Sequence, residues 1–309
     1  MNFIQALIPV IALVAFGRFL SWRNIPSVDG WRAIERLCYL VFFPALIILV
    51  LSRAPLETAP WKIALTLVIA QVILAAIGLF SILIPGTERP RVGCIIQSNS
   101  RWNTFIALTI SGVLFGEEGL ALTAICAAVM IPLANILSVL ALSHFGKLED
   151  GPKRNPFAEL IRNPLVIACI IGGALNILGL KPEGVIETTI DLVASPAMTL
   201  GLLAAGAGID FTALKRAGFP TIFWSVTRLI GLPLIAVPLA YFGFGIAGAP
   251  LLVLAIATST PTATNGYVLA RQLGGDAPFM ANLIATQTVL ASLTMALVYF
   301  VTLHLTALS

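Results

Sequence analysis

The chain has 309 residues, of which 59% are hydrophobic and only 10% charged, and its mean hydropathy is +1.00. Soluble chains carry about 25% charged residues, so this composition excludes an ordinary water-soluble domain and predicts an all-α polytopic membrane protein. The net charge of +4 resides in loops beside the apolar segments and does not point to nucleic acid.

A spanning helix needs about 20 mostly apolar residues. Ten segments qualify: roughly 3–20, 33–52, 62–84, 92–115, 119–142, 165–180, 187–208, 217–241, 246–272 and 278–305. The first lacks the positive flank and small-residue cleavage site of a signal peptide, so it is expected to remain a helix. The longest polar connection, 143–163, divides the chain five segments from five. Cys38, Cys94, Cys126 and Cys169 all fall in apolar segments, at spacings that fit neither a metal nor a redox pair. His144 is a loop residue and His304 sits at the edge of the last segment, neither with a metal-ligand partner in the sequence.

Lys and Arg in short loops set orientation. Thirteen of the eighteen fall on one side: Arg18, Arg23, Arg32, Arg36, Arg89, Arg91, Lys147, Lys153, Arg154, Arg162, Lys215, Arg216 and Arg271. Three, Arg53, Lys62 and Lys181, fall on the other, and Arg101 and Arg228 lie within segments. This bias predicts a cytoplasmic 143–163 loop and two non-cytoplasmic termini in the cell (inner or plasma) membrane. Because five is odd, the two halves enter the membrane from opposite sides, and any repeat between them is inverted. Such a repeat is legible. Pro9 and Gly17 match Pro164 and Gly172, each 155 residues on; Glu35, Leu40 and Pro44 match Glu187, Leu192 and Pro196, each 152 on; Asn103 matches Asn265. Order and spacing agree together.

Two segments are interrupted by polar runs in corresponding positions. The fourth contains Gln97-Ser98-Asn99-Ser100-Arg101-Trp102-Asn103-Thr104, and the ninth contains Thr258-Ser259-Thr260-Pro261-Thr262-Ala263-Thr264-Asn265-Gly266. A Pro removes a backbone donor and frees carbonyls. In hydrocarbon those groups are tolerated only where protein or a water-filled cavity satisfies them. Paired interruptions of this kind mark the binding site of a transporter. Asn99, Arg101, Asn103, Thr104, Thr260, Pro261, Thr262 and Asn265 are therefore the candidate substrate-binding residues.

If the helices break at Asn103 and Asn265, each Asn is placed to cap the half-helix that follows. The two half-helix N-termini then suit an anion; the alternative is that both side chains only cap. Arg101 lies about ten residues into its segment, about 15 Å deep in a core about 30 Å thick. An ionisable residue there is a functional candidate, either holding a carboxylate with its planar fork or capping freed carbonyls. Arg228 is also deep, with Asp191 as its expected structural or gating partner. Asn135, Ser138, Thr123, Asn282, Thr286, Gln287, Thr288 and Ser292 are expected mainly to hydrogen-bond between helices.

Absences narrow the class. No Asp or Glu lies at mid-depth in the fourth, fifth, ninth or tenth segment, so carboxylate-based proton or sodium antiport lacks its carrier. No HExxH, GxSxG or P-loop pattern occurs, and neither an enzyme, a cofactor nor a metal is expected. Coupling to a proton or to sodium held by carbonyls and hydroxyls stays open.

The opening helices read Ile8-Pro9-Val10-Ile11-Ala12-Leu13-Val14-Ala15-Phe16-Gly17-Arg18-Phe19-Leu20 and Leu37-Cys38-Tyr39-Leu40-Val41-Phe42-Phe43-Pro44-Ala45-Leu46, and the ninth contains Pro261-Thr262-Ala263-Thr264-Asn265-Gly266-Tyr267-Val268-Leu269-Ala270. Over nearly its whole length the chain resembles the auxin efflux carrier family, which includes plant auxin exporters and bacterial carriers of malonate and malate. The resemblance implies a 5+5 inverted repeat whose fourth and ninth helices break and cross. It implies a scaffold from the first, second, sixth and seventh helices (1–58 and 156–211), with Pro44 and Pro196 in structural roles. It also implies a transport core from the rest (59–142 and 212–309), a cytoplasmic linker at 143–163 and a homodimer. The fourth segment departs from the family in having no Pro at its break. The expected function is secondary transport of a small organic anion. A sodium-coupled symporter of a larger amphipathic anion, a cation antiporter and a non-transporting sensor are the alternatives.

Overall fold

The computed structural model describes residues 3–54, 60–147 and 163–307. Most of the 143–163 connection thus lies outside the described residues. Among the described residues the chain is helical and contains no strand. In chain order the helices are α1 (Phe3–Trp22), α2 (Val28–Arg53), α3 (Pro60–Leu79), α4 (Arg89–Ser100), α5 (Thr104–Phe145), α6 (Pro164–Ile177), α7 (Gly184–Ala207), α8 (Phe211–Lys215), α9 (Phe219–Gly243), α10 (Gly248–Ser259), α11 (Gly266–Gln272) and α12 (Ala277–Ala307). Among the described residues seven helical stretches are long and apolar enough to cross a membrane; Arg89–Phe145 counts as one of them, with 57 residues. It is interrupted at 101–103, and it bends again at Gly116, whose φ of 58° only glycine adopts readily. The bend falls between the predicted segments 92–115 and 119–142.

Large apolar side chains cover the outer faces. Ile8, Phe16, Leu293 and Leu297 are all at least half exposed, as fits helices whose solvent is hydrocarbon rather than water. Prolines explain the local irregularities. The helix widens to π geometry at Cys38–Phe42 and Thr227–Gly231, directly ahead of Pro44 and Pro233. A proline ring clashes with the carbonyl four residues back, and the wider turn relieves that clash. Pro196 starts the second half of α7 after a break at Ser195.

The chain forms two compact units. The first comprises Met1–Pro60, Thr104–Ala128 and Arg162–Ile209. Within it α1 and α7 approach closely enough that a Cβ on Gly17 would strike the Leu203 carbonyl, and one on Gly206 the Val14 carbonyl. These reciprocal small-residue contacts let the backbones meet, the usual means of helix association in lipid. Asn176 of α6 donates to the carbonyls of Leu51 and Ala54 at 2.9 and 2.8 Å, and so caps the end of α2. Arg53 pairs with Glu187. Phe43 and Phe105 stack at 4.0 Å over Gly201.

The second unit comprises Trp61–Asn103, Val129–Ile161 and Asp210–Ser309. The boundaries differ from the expected core of 59–142 and 212–309 in that Thr104–Ala128 groups with the first unit. At one end of the second unit Arg91 pairs with Asp276 at 3.0 Å and lies over the Phe279 ring, while Asp276 caps α12 by accepting from the Phe279 N–H. Nearby, Lys147 donates to Glu88 at 2.8 Å, and this holds the Glu88 carboxyl below its ordinary pKa. Deeper in the unit lie both polar interruptions.

Candidate functional site

The helix that begins at Arg89 ends at Ser100, and Arg101, Trp102 and Asn103 are non-helical. The helix that begins at Gly248 ends at Ser259, and helical structure resumes only at Gly266. Both predicted breaks are present, the first without a proline. Each frees backbone groups that apolar surroundings cannot satisfy, and side chains of the same unit take them up.

Thr258 has lost the N–H of Thr262 as its helical partner. Arg228 donates from Nη1 to the Thr258 carbonyl at 2.7 Å, and from Nε to the Arg101 carbonyl at 3.0 Å. The freed Thr262 N–H goes to Gln287 Oε1 at 2.9 Å, and Gln287 Nε2 donates to Ser98 Oγ at 2.7 Å. One side chain of α12 thereby links the two breaks. Gln71 Nε2 donates to the Ser100 carbonyl at 2.6 Å, and Gln97 Nε2 to the Gly266 carbonyl at 3.0 Å. The hydroxyls of Thr258, Ser259 and Thr260 bond back to carbonyls within their own helix. All of these side chains are buried.

Arg101 is only 8% exposed. Its guanidinium donates from Nε to Ser138 Oγ at 3.2 Å, from Nη1 to Asn265 Oδ1 at 2.8 Å and from Nη2 to Asn135 Oδ1 at 2.9 Å. Asn135 is half-buried and Asn265 exposed, while Arg101 itself is buried. A guanidinium held in a fixed orientation presents the planar fork that suits a carboxylate.

The structure separates the predicted site residues into groups. Arg101 and Asn265 meet directly, although 164 positions apart. Asn265 corrects the capping expectation: it precedes α11 with helical dihedrals and makes no side-chain cap, because its carbonyl oxygen is taken by Arg101. Asn103 is buried and immediately precedes Thr104, the first residue of α5, whose Thr104–Ala128 part groups with the first unit. Asn99 is fully buried and donates to the Leu74 carbonyl at 3.1 Å, which tethers it to α3 and not to the Arg101 cluster. Thr260, Pro261 and Thr262 are buried in the second break. Pro44 and Pro196 are half-buried in the first unit, where Asp191 is exposed. Arg228 is completely buried, and carbonyls, rather than the expected Asp191, receive its guanidinium. Asn135 and Ser138, expected mainly to hydrogen-bond between helices, are partners of Arg101. Gln71 is not among the expected residues, and its one signal in the sequence is that it is the sole amide of the third segment.

A family model described as "Membrane transport protein" matches residues 2–299. The chain is similar to the uncharacterized transporter YfdV of Escherichia coli strain K12, 24% identical over 314 residues, covering 97% of this chain and 94% of that one. It is likewise similar to the uncharacterized transporter MJ1031 of Methanocaldococcus jannaschii, 23% identical over 297 residues, covering 93% and 95%. With a match that runs almost from end to end, the chain is a multi-pass membrane protein that belongs to the membrane transport protein family of auxin efflux carriers.

Proposed function

We propose that this protein is a secondary transporter of a small organic anion, a mono- or dicarboxylate, working by alternating access. The observation that carries the reading is the Arg101 guanidinium, buried where the two broken helices meet and bonded to the amide oxygens of Asn135 and of the exposed Asn265. The membrane-spanning parts of the second unit contain Arg101 and Arg228 but no Asp or Glu, so its intramembrane charge is positive, and an anionic cargo is the natural complement. Arg101, Asn135 and Asn265 form the anion subsite, and the remaining polar residues maintain the breaks.

The reading includes ten crossings. Arg89–Phe115 and Glu117–Phe145 supply the fourth and fifth, and Gly248–Gln272 the ninth, with the fourth and ninth crossing as inverted repeats. The Arg and Lys bias supports non-cytoplasmic termini in the cell membrane, and the family resemblance supports a homodimer. An alkaline phosphatase fusion at Ser309 is expected to be active, and one within 143–163 inactive. The reverse pattern would overturn the orientation.

The function is tested by thermal shift of the purified protein against matched acids and amides, such as malonate with malonamide and indole-3-acetate with indole-3-acetamide. A ligand at about 100 times its dissociation constant adds about 2.7 kcal/mol of stability. At least one acid is expected to raise the melting temperature saturably while its amide does not. Stabilisation by amides as strong as by acids would refute the anion assignment.

A further inference from the structure

Arg228 has no role in the anion subsite, yet it is the largest fully buried side chain among the described residues. It sits in the π turn Thr227–Gly231 of α9. Its two hydrogen-bonded acceptors have something in common: the Arg101 carbonyl is at the C-terminal cap of α4, and the Thr258 carbonyl belongs to the last turn of α10. Both helices have twelve residues. A helix C-terminus carries about half a negative charge, so two of them present about one full negative charge, and one guanidinium matches it. The third nitrogen, Nη2, is buried with no hydrogen-bond partner among the described residues. Hydrogen bonding alone therefore does not account for a guanidinium at this depth, and the two helix ends supply the remaining attraction.

Freed carbonyls at paired helix C-termini form the kind of oxygen-rich pocket that takes a small cation. We propose that the Arg228 side chain is a resident cation filling the pocket, so that the two half-helices are held together by a charge the chain carries permanently rather than by a sodium ion taken from solution. Within the transporter reading, on which this consequence rests, the crossover needs no cation to bind and leave in each cycle. An arginine suits the position because it keeps its charge when buried, and its fork reaches two carbonyls at once.

The test does not depend on transport or on knowing the substrate. Melting temperatures are measured for the parent, Arg228→Lys, Arg228→Met and Arg228→Ala, in choline chloride and in sodium chloride of equal ionic strength. Each is also measured with millimolar guanidinium added, against tetramethylammonium as the control cation. The parent is expected to melt at the same temperature in choline and sodium. Arg228→Met, similar in size but neutral, is expected to melt several degrees below Arg228→Lys. Arg228→Ala is expected to recover part of its loss saturably with guanidinium and not with tetramethylammonium. Should Arg228→Ala fail to fold, the Lys and Met pair decides. Equal melting of Lys and Met, a saturable sodium stabilisation of the parent, or no guanidinium recovery in a folded Arg228→Ala would overturn the proposal. A failure of acids to bind the parent would leave these results unchanged, so the two readings fail separately.

Discussion

Arg101→Gln is expected to weaken carboxylate binding by about 2–5 kcal/mol, the usual cost of removing one partner of a desolvated charge pair, while the protein remains inserted and folded. The reasoning is local. Arg101 is only 8% exposed, and its guanidinium donates to Ser138, Asn265 and Asn135. Gln keeps a donor and much of the stem but loses the charge. Arg101→Lys keeps the charge and loses the fork, so it is expected to cost less, about 1.5–3 kcal/mol, the scale of a charged hydrogen bond. A neutral amide that binds weakly to the parent is expected to lose little further in Arg101→Gln. The check is a titration of one acid and its amide against all three proteins. Equal losses for acid and amide would mean that Arg101 supports the broken helix and does not read charge.

The two breaks were legible because their signal is local: a run of hydroxyls and amides, with Pro261 in one case, has no place in a lipid-facing helix. Arg101 was legible for the same reason, as a charge about ten residues into an apolar segment. What connects these residues was not. Asn265 resembled an N-cap because a cap needs only its immediate neighbours, whereas the contact that displaced it comes from Arg101, 164 residues away. The sequence pairs Arg228 with Asp191 because charge is the only complement it displays. Its actual partners are backbone carbonyls, which every residue has and no sequence marks. Gln71 and Gln287 illustrate the same limit. A lone amide in an apolar helix reads as generic interhelical bonding until the freed Ser100 carbonyl and Thr262 N–H are placed beside them. The bend between the fourth and fifth segments lay at Gly116, where Gly116-Glu117 interrupts the apolar run; only the positive φ shows that a glycine was required there.

Asn265→Asp is expected to abolish acid-induced stabilisation altogether, and to raise the melting temperature of the unliganded protein. Asn265 Oδ1 already accepts from Arg101 Nη1 at 2.8 Å. The substitution changes no volume and places a carboxylate in that position. The chain would then carry an internal copy of the proposed cargo: one oxygen on Nη1, and one negative charge offsetting the guanidinium. An external acid would have to displace a tethered carboxylate and face its repulsion, so a loss of affinity of at least a hundredfold, about 2.7 kcal/mol, is expected. Asn135→Asp puts the same group on Nη2, where Asn135 Oδ1 now stands at 2.9 Å, and is expected to act in the same direction. Asn265→Leu removes the acceptor without adding charge; it should not gain stability, which separates occupation of the site from damage to it. Thermal shift of these variants with and without the best-binding acid reads all the outcomes. Undiminished acid binding by Asn265→Asp would place the anion subsite somewhere other than the Arg101 fork.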